Sequence, residues 1–459
     1  MASIDAILDR DTGVYLYVGQ VIAGGGMPYV DAADNKGPLT FLLFTGIQAV
    51  AGDSATAVRV CLLLALVIAA CALALYTRTF GSDRIAFLAG MSLAVLGSTV
   101  ALEGNDPNTE QFGIAPMVIA WYLAAQRSSR AAAGAGAVSG LAVMMNLGFA
   151  AVAPIVVFEL IRSSRRRGQA WKRLLAAGGA GALVCLAFAG WLAAGHALDD
   201  LIAQAGAQAL GGTSSASLSE RISLGRLTEF PALGLFAVGT CGALVGLRDR
   251  HLSPLGLGAL IWIVVMWARV QLSGYDQAEQ LYYLAIPGIA LGTALGMGVL
   301  LRARATLPSV AVAGTALALI GYYVVAPQIR SLSTGPWPDD PDLALVYPVA
   351  DFVEASTSAG QSVFFAGSIA QGYWLSNRRA PTRFFHSFPV SFQETYSDER
   401  RSDLISSPPA AIAELPGAAK RERGPPVVPD LLAHKPYRLA YERNGARVWL
   451  LSDRDAESR

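Results

Sequence analysis

The stretch "DRDTGVYLYVGQVIAGGGMPYVDAADNKGPLTFLL" runs from Asp9 to Leu43 and carries four aspartates and one lysine ahead of an apolar run. The chain around it is greasy: 459 residues, 53% hydrophobic and 15% charged. A soluble globular domain carries about a quarter charged residues, so the composition points to an α-helical, polytopic membrane protein. The formal net charge of +1 sets up no global field that would draw in nucleic acid. Four acids and one lysine clustered in such a chain call for a local explanation.

Outward from this stretch, apolar runs able to span a bilayer, ideally about 20 residues each, lie at about 58–77, 84–102, 111–126, 132–147, 148–161, 173–195, 229–247, 253–271, 281–301 and 306–326. The pair 132–147 and 148–161 is short enough to be one long tilted helix. Loops rich in Arg and Lys mark the cytoplasmic side. They are 77–84, 126–130, 162–173, 248–251 and 302–305. The loops 103–110, 196–227 and 273–280 alternate with them and hold most of the loop acids, which places the acidic set outside. Counting 37–52 as a span would separate Asp9–Lys36 from "EGNDPNTE" (103–110). Its sixteen residues would reach only about 24 Å as a helix, so it reads as a helix on the outer surface. By the same parity the chain starts outside, and the reading expects a first helix missing ahead of Met1. From 327 onward Pro, Ser, Asp and Arg replace the apolar runs. The expected division is an external loop with a surface helix (1–57), a transmembrane helical domain of about ten spans (58–326), and an extracytoplasmic C-terminal domain (327–459).

Cys61, Cys71, Cys185 and Cys241 sit inside apolar runs and read as small buried hydrophobes. No CxxC spacing occurs, and the four histidines are far apart, so a zinc site of the Cys/His kind is unsupported. Gly24–Gly26 stop a helix and do not form a phosphate loop, for which GxxxxGK[ST] is needed.

Asp9 and Asp11 precede "VYLYVGQVIAGG", whose apolar spacing is helical. Carboxylates are favoured at a helix start, so capping accounts for them as well as a general base facing an external site does. Pro28 and Pro38 stiffen the connection that follows. Lys36 either binds a lipid phosphate as a point charge or snorkels to the interface. Arg59 enters the first span from outside, where a guanidinium suits a phosphate. Glu103, Asn105, Asp106 and Glu110 share that face and could also be solvated loop residues. The acids could hold a divalent cation, but no ligand spacing demands one, and no cofactor is required by the sequence.

The opening stretch resembles the first external loop of polytopic glycosyltransferases of the GT-C superfamily, above all the bacterial members related to protein O-mannosyltransferases and to lipid A aminoarabinose transferases. In that family an acidic pair heads a helix with a tyrosine. A "PYxD…KxPL" segment leads into a surface helix, and an arginine opens the next span. Here these are Asp9, Asp11, Tyr15, Pro28-Tyr29, Asp31, Asp34-Asn35-Lys36, Pro38-Leu39 and Arg59. The likeness covers most of the chain, with "EGNDPNTEQF" and "VFFAGSIAQGYWLSNRRAPTRFF" (363–385) as weaker echoes, but only the first 60 residues are specific. It implies transfer of a sugar from a polyprenyl-phosphate donor on the outer leaflet to an extracytoplasmic acceptor. Asp11, with Asp9 beside it, would be the base, and Lys36 and Arg59 would face the donor phosphate. Tyr15, Asp31, Asp34, Asn35, Glu103, Asn105, Glu110 and Gln280 would line the substrate. The sequence departs from the family at Thr12, where the acidic pair is often completed. It departs again at Asn146 and Gln280, where relatives often carry lysine and histidine.

The tail reads as a small α/β or α+β domain. "LALVYPVADFVEAS" is helical, "SVFFAG" and "ARVWLLS" are strands, and 408–430 is a flexible loop. Tyr373, Trp374, Arg378 and Arg379 could touch a glycan or simply pack. A transporter would place ionisable groups within its spans and often show internal repeats. Here the acids cluster in loops, leaving the transporter and a non-catalytic scaffold as alternatives to a transferase.

Overall fold

The computed structural model describes residues 8–99, 104, 106–164, 166–211, 233–272, 282–302, 341–391, 393–418 and 427–452. Apolar runs become helices because a helix satisfies its own backbone groups where no water can. In chain order the helices are α1 (Arg10–Ala23), α2 (Pro38–Ala51), α3 (Ala55–Arg78), α4 (Asp83–Gly97), α5 (Thr109–Ala125), α6 (Ser129–Met145), α7 (Val152–Arg162), α8 (Arg167–Ala194) and α9 (Leu198–Gly211). There follow α10 (Leu233–Arg248), α11 (Ser253–Leu272), α12 (Ile286–Arg302), α13 (Val346–Ser356), α14 (Gln371–Ser376), α15 (Ser387–Val390), α16 (Glu394–Ser406) and α17 (Val428–His434). The strands are β1 (Val363–Phe365), β2 (Ala411–Glu414), β3 (Tyr437–Arg443) and β4 (Ala446–Leu451). The chain divides into two compact units. One comprises Met1–Ile4, Val58–Phe188 and Ser214–Pro336; the other comprises Asp5–Ala57, Ala189–Thr213 and Trp337–Arg459.

The first unit is helical. The helices at Ala55–Arg78, Arg167–Ala194 and Ser253–Gln271 are long and apolar enough to cross a membrane. Leu63, Leu64, Val67 and Ile68 on α3 and Leu183 and Leu186 on α8 are exposed, as lipid-facing side chains would be. Helices α10 and α12 approach so closely that a Cβ on Gly242 or Gly292 would overlap the facing backbone. Small residues at a crossing allow this. The buried rings of Tyr76, Trp121 and Trp262 follow one another in tilted contact, with centroids 4.1 and 4.7 Å apart. The segment read as either two short spans or one tilted helix is broken: α6 and α7 are separated by a short 3-10 turn over Leu147–Ala151. Arg173, which the sequence placed where a basic cytoplasmic loop meets the next span, is buried and donates to the carbonyls of Leu160 and Ala124. It thereby closes the C-terminal ends of α7 and α5, whose last carbonyls have no helical partner. The run 306–326 lies outside the described residues.

The second unit carries a four-stranded mixed sheet in the order β1-β2-β4-β3. Strand β1 pairs with β2 in parallel, and the other pairings are antiparallel. Asn444 and Gly445 both have positive φ between β3 and β4, the two-residue hairpin turn that Asn-Gly favours. Phe364, Ile412, Leu404, Leu431 and Trp449 form its core. The tail's helix and two of these strands match the sequence expectation. The expected loop 408–430 instead contains β2, at an interior position of the sheet. A buried three-residue "AIA" flanked by prolines is too short for periodicity to reveal. Helix α9 likewise falls in a stretch read as loop.

Candidate functional site

Asp9 is the N-cap of α1. Its Oδ1 accepts the backbone N–H of Thr12 at 3.0 Å and the Thr12 hydroxyl as well, and Asp11 lies in the first turn. Such an oxygen at this position satisfies an orphan donor and complements the helix dipole. The rest of α1 is buried almost all round, with Val14, Tyr15, Leu16, Tyr17 and Val18 at 5% exposure or less. A helix start that would ordinarily lie in water is therefore held within the unit. Burial, with the neighbouring Asp11 charge second, pushes the Asp9 carboxyl up to about 6. The capping bonds oppose the shift without cancelling it.

Helix α14, from the tail, holds this start in place. Gln371 Nε2 donates to the Asp9 carbonyl at 2.8 Å, and its side chain lies so close to Gly13 that a Cβ there would not fit. Gln20 Nε2 donates to the Trp374 carbonyl, and Trp374 Nε1 to Asp53 Oδ1 at 2.9 Å. The Tyr17 ring packs in tilted contact with those of Tyr373 and Phe385, and its hydroxyl accepts the Ala380 N–H. Tyr373 and Trp374 are thus buried packing residues. Arg378 donates to the carbonyls of Glu354 and Thr357, and exposed Arg379 reaches the Gly24 carbonyl.

The loop 27–37 carries the remaining motif residues of this unit. Asp31 Oδ2 accepts the Met27 N–H at 2.6 Å, and Asp34 Oδ1 accepts the Lys36 N–H at 2.8 Å. Asp34 makes an Asx turn in this way, and Asp31 closes a wider turn back to Met27. Tyr29 donates its hydroxyl to the Lys36 carbonyl. His386 Nε2 sits 3.4 Å from Asp34 Oδ2, both groups buried. These bonds fix Lys36 so that its Nζ lies 6.0 Å from the centroid of the Tyr15 ring. Tyr15 is one helical turn beyond Asp11. The buried Asn35 Oδ1 has no hydrogen-bond partner among the described residues. Asp9, Asp11, Tyr15 and Lys36 are thereby brought to α1 and the loop against it.

In the helical unit, Arg59 is half-buried near the start of α3. Glu110, 1% exposed at the start of α5, accepts from the Thr109 hydroxyl at 2.7 Å and from Asn146 Nδ2 at 3.1 Å. It is no solvated loop acid. Asn146 Oδ1 accepts the Gly148 N–H, and Arg269 Nε donates to the Gly148 carbonyl at 2.9 Å. Arg269, near the C-terminal end of α11, turns inward over the Phe149 ring. An arginine ending an otherwise apolar α11, with a glycine after Asn146, was the signal available. Glu103, Asn105 and Gln280 lie outside the described residues. Among the described residues no three His, Cys, Asp or Glu side chains form a group that could hold a metal.

With this geometry in hand, the chain can be set beside known proteins. The crystal structure of ArnT from Cupriavidus metallidurans bound to undecaprenyl phosphate superposes with a TM-score of 0.65 at 14% identity, covering 97% of this chain and 94% of that one. Its apo state gives 0.62 at 14% identity, with 98% and 94% covered. The archaeal oligosaccharyltransferase AglB from Archaeoglobus fulgidus, in complex with an inhibitory peptide and a dolichol-phosphate, gives 0.52 at 12% identity, covering 98% of this chain and 71% of that one. This is the GT-C fold. A family profile described as "6-pyruvoyl-tetrahydropterin synthase related domain; membrane protein" matches residues 37–193, about a third of the chain. No curated protein matches the sequence. The chain is a multi-pass helical membrane protein with the GT-C fold and a small sheet-bearing C-terminal part.

Proposed function

We propose that this protein is an inverting glycosyltransferase that moves a sugar from a polyprenyl-phosphate donor to an extracytoplasmic acceptor. The observation that carries the reading is the head of α1. A carboxyl with its pKa near 6, a second carboxyl two residues on, and a lysine that the loop 27–37 holds against Tyr15, one turn further along the helix, are kept in order by local hydrogen bonds. General bases are tuned towards the working pH in this way. ArnT was crystallised with undecaprenyl phosphate and AglB with a dolichol-phosphate, which favours a lipid phosphate as the leaving group.

In this mechanism the carboxylate of Asp11 or Asp9 takes the proton of the acceptor hydroxyl. The freed oxygen attacks the anomeric carbon from the face opposite the phosphate. The carbon–oxygen bond to phosphate breaks, and the electron pair leaves with the polyprenyl phosphate. Lys36 stabilises the charge that develops on the phosphate, with Arg59 assigned to the same group. Tyr15, Asp31, Asp34, Asn35, Glu103, Asn105, Glu110 and Gln280 are assigned to the substrate, with the loop acids also shaping the backbone that presents Lys36. On this reading the site and the C-terminal part face away from the cytoplasm.

The test is lipid mass spectrometry on membranes expressing wild type, Asp9→Asn or Asp11→Asn. One sugar-bearing polyprenyl phosphate should fall in wild type and recover in at least one variant. Identical pools at equal protein abundance would refute the transferase and favour the scaffold.

A further inference from the structure

The helical unit holds a second polar cluster that the chemistry above does not explain. Glu110, Asn146 and Arg269 come from three different elements, and Gly148 joins the last two through its N–H and carbonyl. Glu110 and Arg269 attract each other electrostatically. Asn146 links the two sides: its Nδ2 donates to Glu110, and its Oδ1 accepts the Gly148 N–H. Arg269 is not fully committed. Its Nη1 is buried and has no hydrogen-bond partner among the described residues. A buried guanidinium N–H without an acceptor is costly, and a water or a ligand can supply the acceptor that the protein does not. Room is kept for the guanidinium as well, because a Cβ on Gly148 would overlap it.

The charges identify the ligand class. One carboxylate and one guanidinium cancel, so the cluster has little net attraction for a phosphate dianion. A neutral partner with several hydroxyls suits it better: hydroxyl hydrogens go to the carboxylate, and hydroxyl oxygens take the spare guanidinium N–H. We infer that Glu110, Asn146 and Arg269 form a sugar-hydroxyl subsite, with Arg269 determining which sugar is accepted. This deepens the transferase reading and rests on it.

The test uses the full-length chain in the Asp9→Asn/Asp11→Asn background, which keeps the donor from being consumed. Lipids that co-purify with it are extracted and quantified as sugar-bearing and bare polyprenyl phosphate, with and without Arg269→Gln. Equal melting temperatures establish that both proteins fold, and Arg269→Lys serves as a milder variant. Loss of a charge-assisted hydrogen bond should cut the sugar-bearing lipid by about tenfold or more while the bare lipid stays at its starting level. Arg269→Lys should fall between. Equal loss of both lipids would assign Arg269 to the phosphate and overturn the inference, and no change in either would reduce it to a structural role. If neither lipid co-purifies even with Arg269 present, the transferase reading itself fails.

Discussion

Consider the pH dependence of transfer. Burial and the Asp11 charge raise the Asp9 carboxyl from 3.8 to about 6. If Asp9 is the base, kcat/KM should rise with pH along a single ascending limb centred near that value. The active fraction would be about nine-tenths at pH 7 and one-tenth at pH 5, close to a tenfold drop in rate. Asp11→Asn removes the second cause of the shift, so any residual activity should show its limb displaced towards acid. Stability should move the other way. The native carboxyl binds its proton more tightly than the unfolded one, so this site's contribution is fully present below pH about 4 and lost as the pH rises through about 6. A shift of that size corresponds to roughly 3 kcal/mol between protonation states. Asp9→Asn keeps an acceptor for the Thr12 N–H and carries no charge. It should therefore be inactive yet up to about 3 kcal/mol more stable than wild type above pH 7, with the gap closing near pH 4. Transfer rates in proteoliposomes and thermal melts across pH 4–8 measure both. A limb at the ordinary carboxylate value near 4, or one that Asp11→Asn leaves unmoved, would refute the assignment to Asp9.

Other outcomes follow from the same contacts. Lys36→Met should leave the melting temperature within a few degrees and raise KM for the lipid donor at least tenfold, as loss of a phosphate contact would, measured by donor titration. Gly13→Ala forces a methyl group into Gln371 and should destabilise the protein by about 1–3 kcal/mol; Gln371→Ser supplied in the same chain should recover part of that in a melting assay. Trp374→Ala empties a site 2% exposed and should cost about 3–5 kcal/mol, seen as lower yield and earlier proteolysis of the expressed protein.

Much of this was legible in the chain. Composition alone indicated a helical membrane protein, and the acidic pair followed by a tyrosine and "NKGPL" located α1, its cap and the loop that presents Lys36. Local spacing could do this because those residues act within one or two turns of each other. Long-range pairing was not legible. Gln371 meets Asp9 across more than three hundred residues, and nothing in "SIAQGYW" signals an amide aimed at a helix start. Trp374 and Tyr373 could be read either as glycan contacts or as packing, because aromatic side chains serve both; burial against α1 decides for packing. The inward turn of Arg269 was not legible because sequence gives its depth along the helix and not the direction in which it points. Glu110 could not be told from a solvated loop acid until Thr109 and Asn146 were seen to enclose it. Strand β2 was hidden by its length.

The central claim is that a polyprenyl-phosphate sugar is consumed. Its most direct test is reconstitution of the purified chain in proteoliposomes, with the lipid-linked sugar that accumulates in the Asp9→Asn or Asp11→Asn membranes and an envelope extract as acceptor. Bare polyprenyl phosphate should appear in an amount equal to the sugar-bearing lipid that disappears and to the sugar gained by the acceptor, and the inactive variant should release none. Binding of the lipid without any release of polyprenyl phosphate from active-site-intact protein would contradict the account.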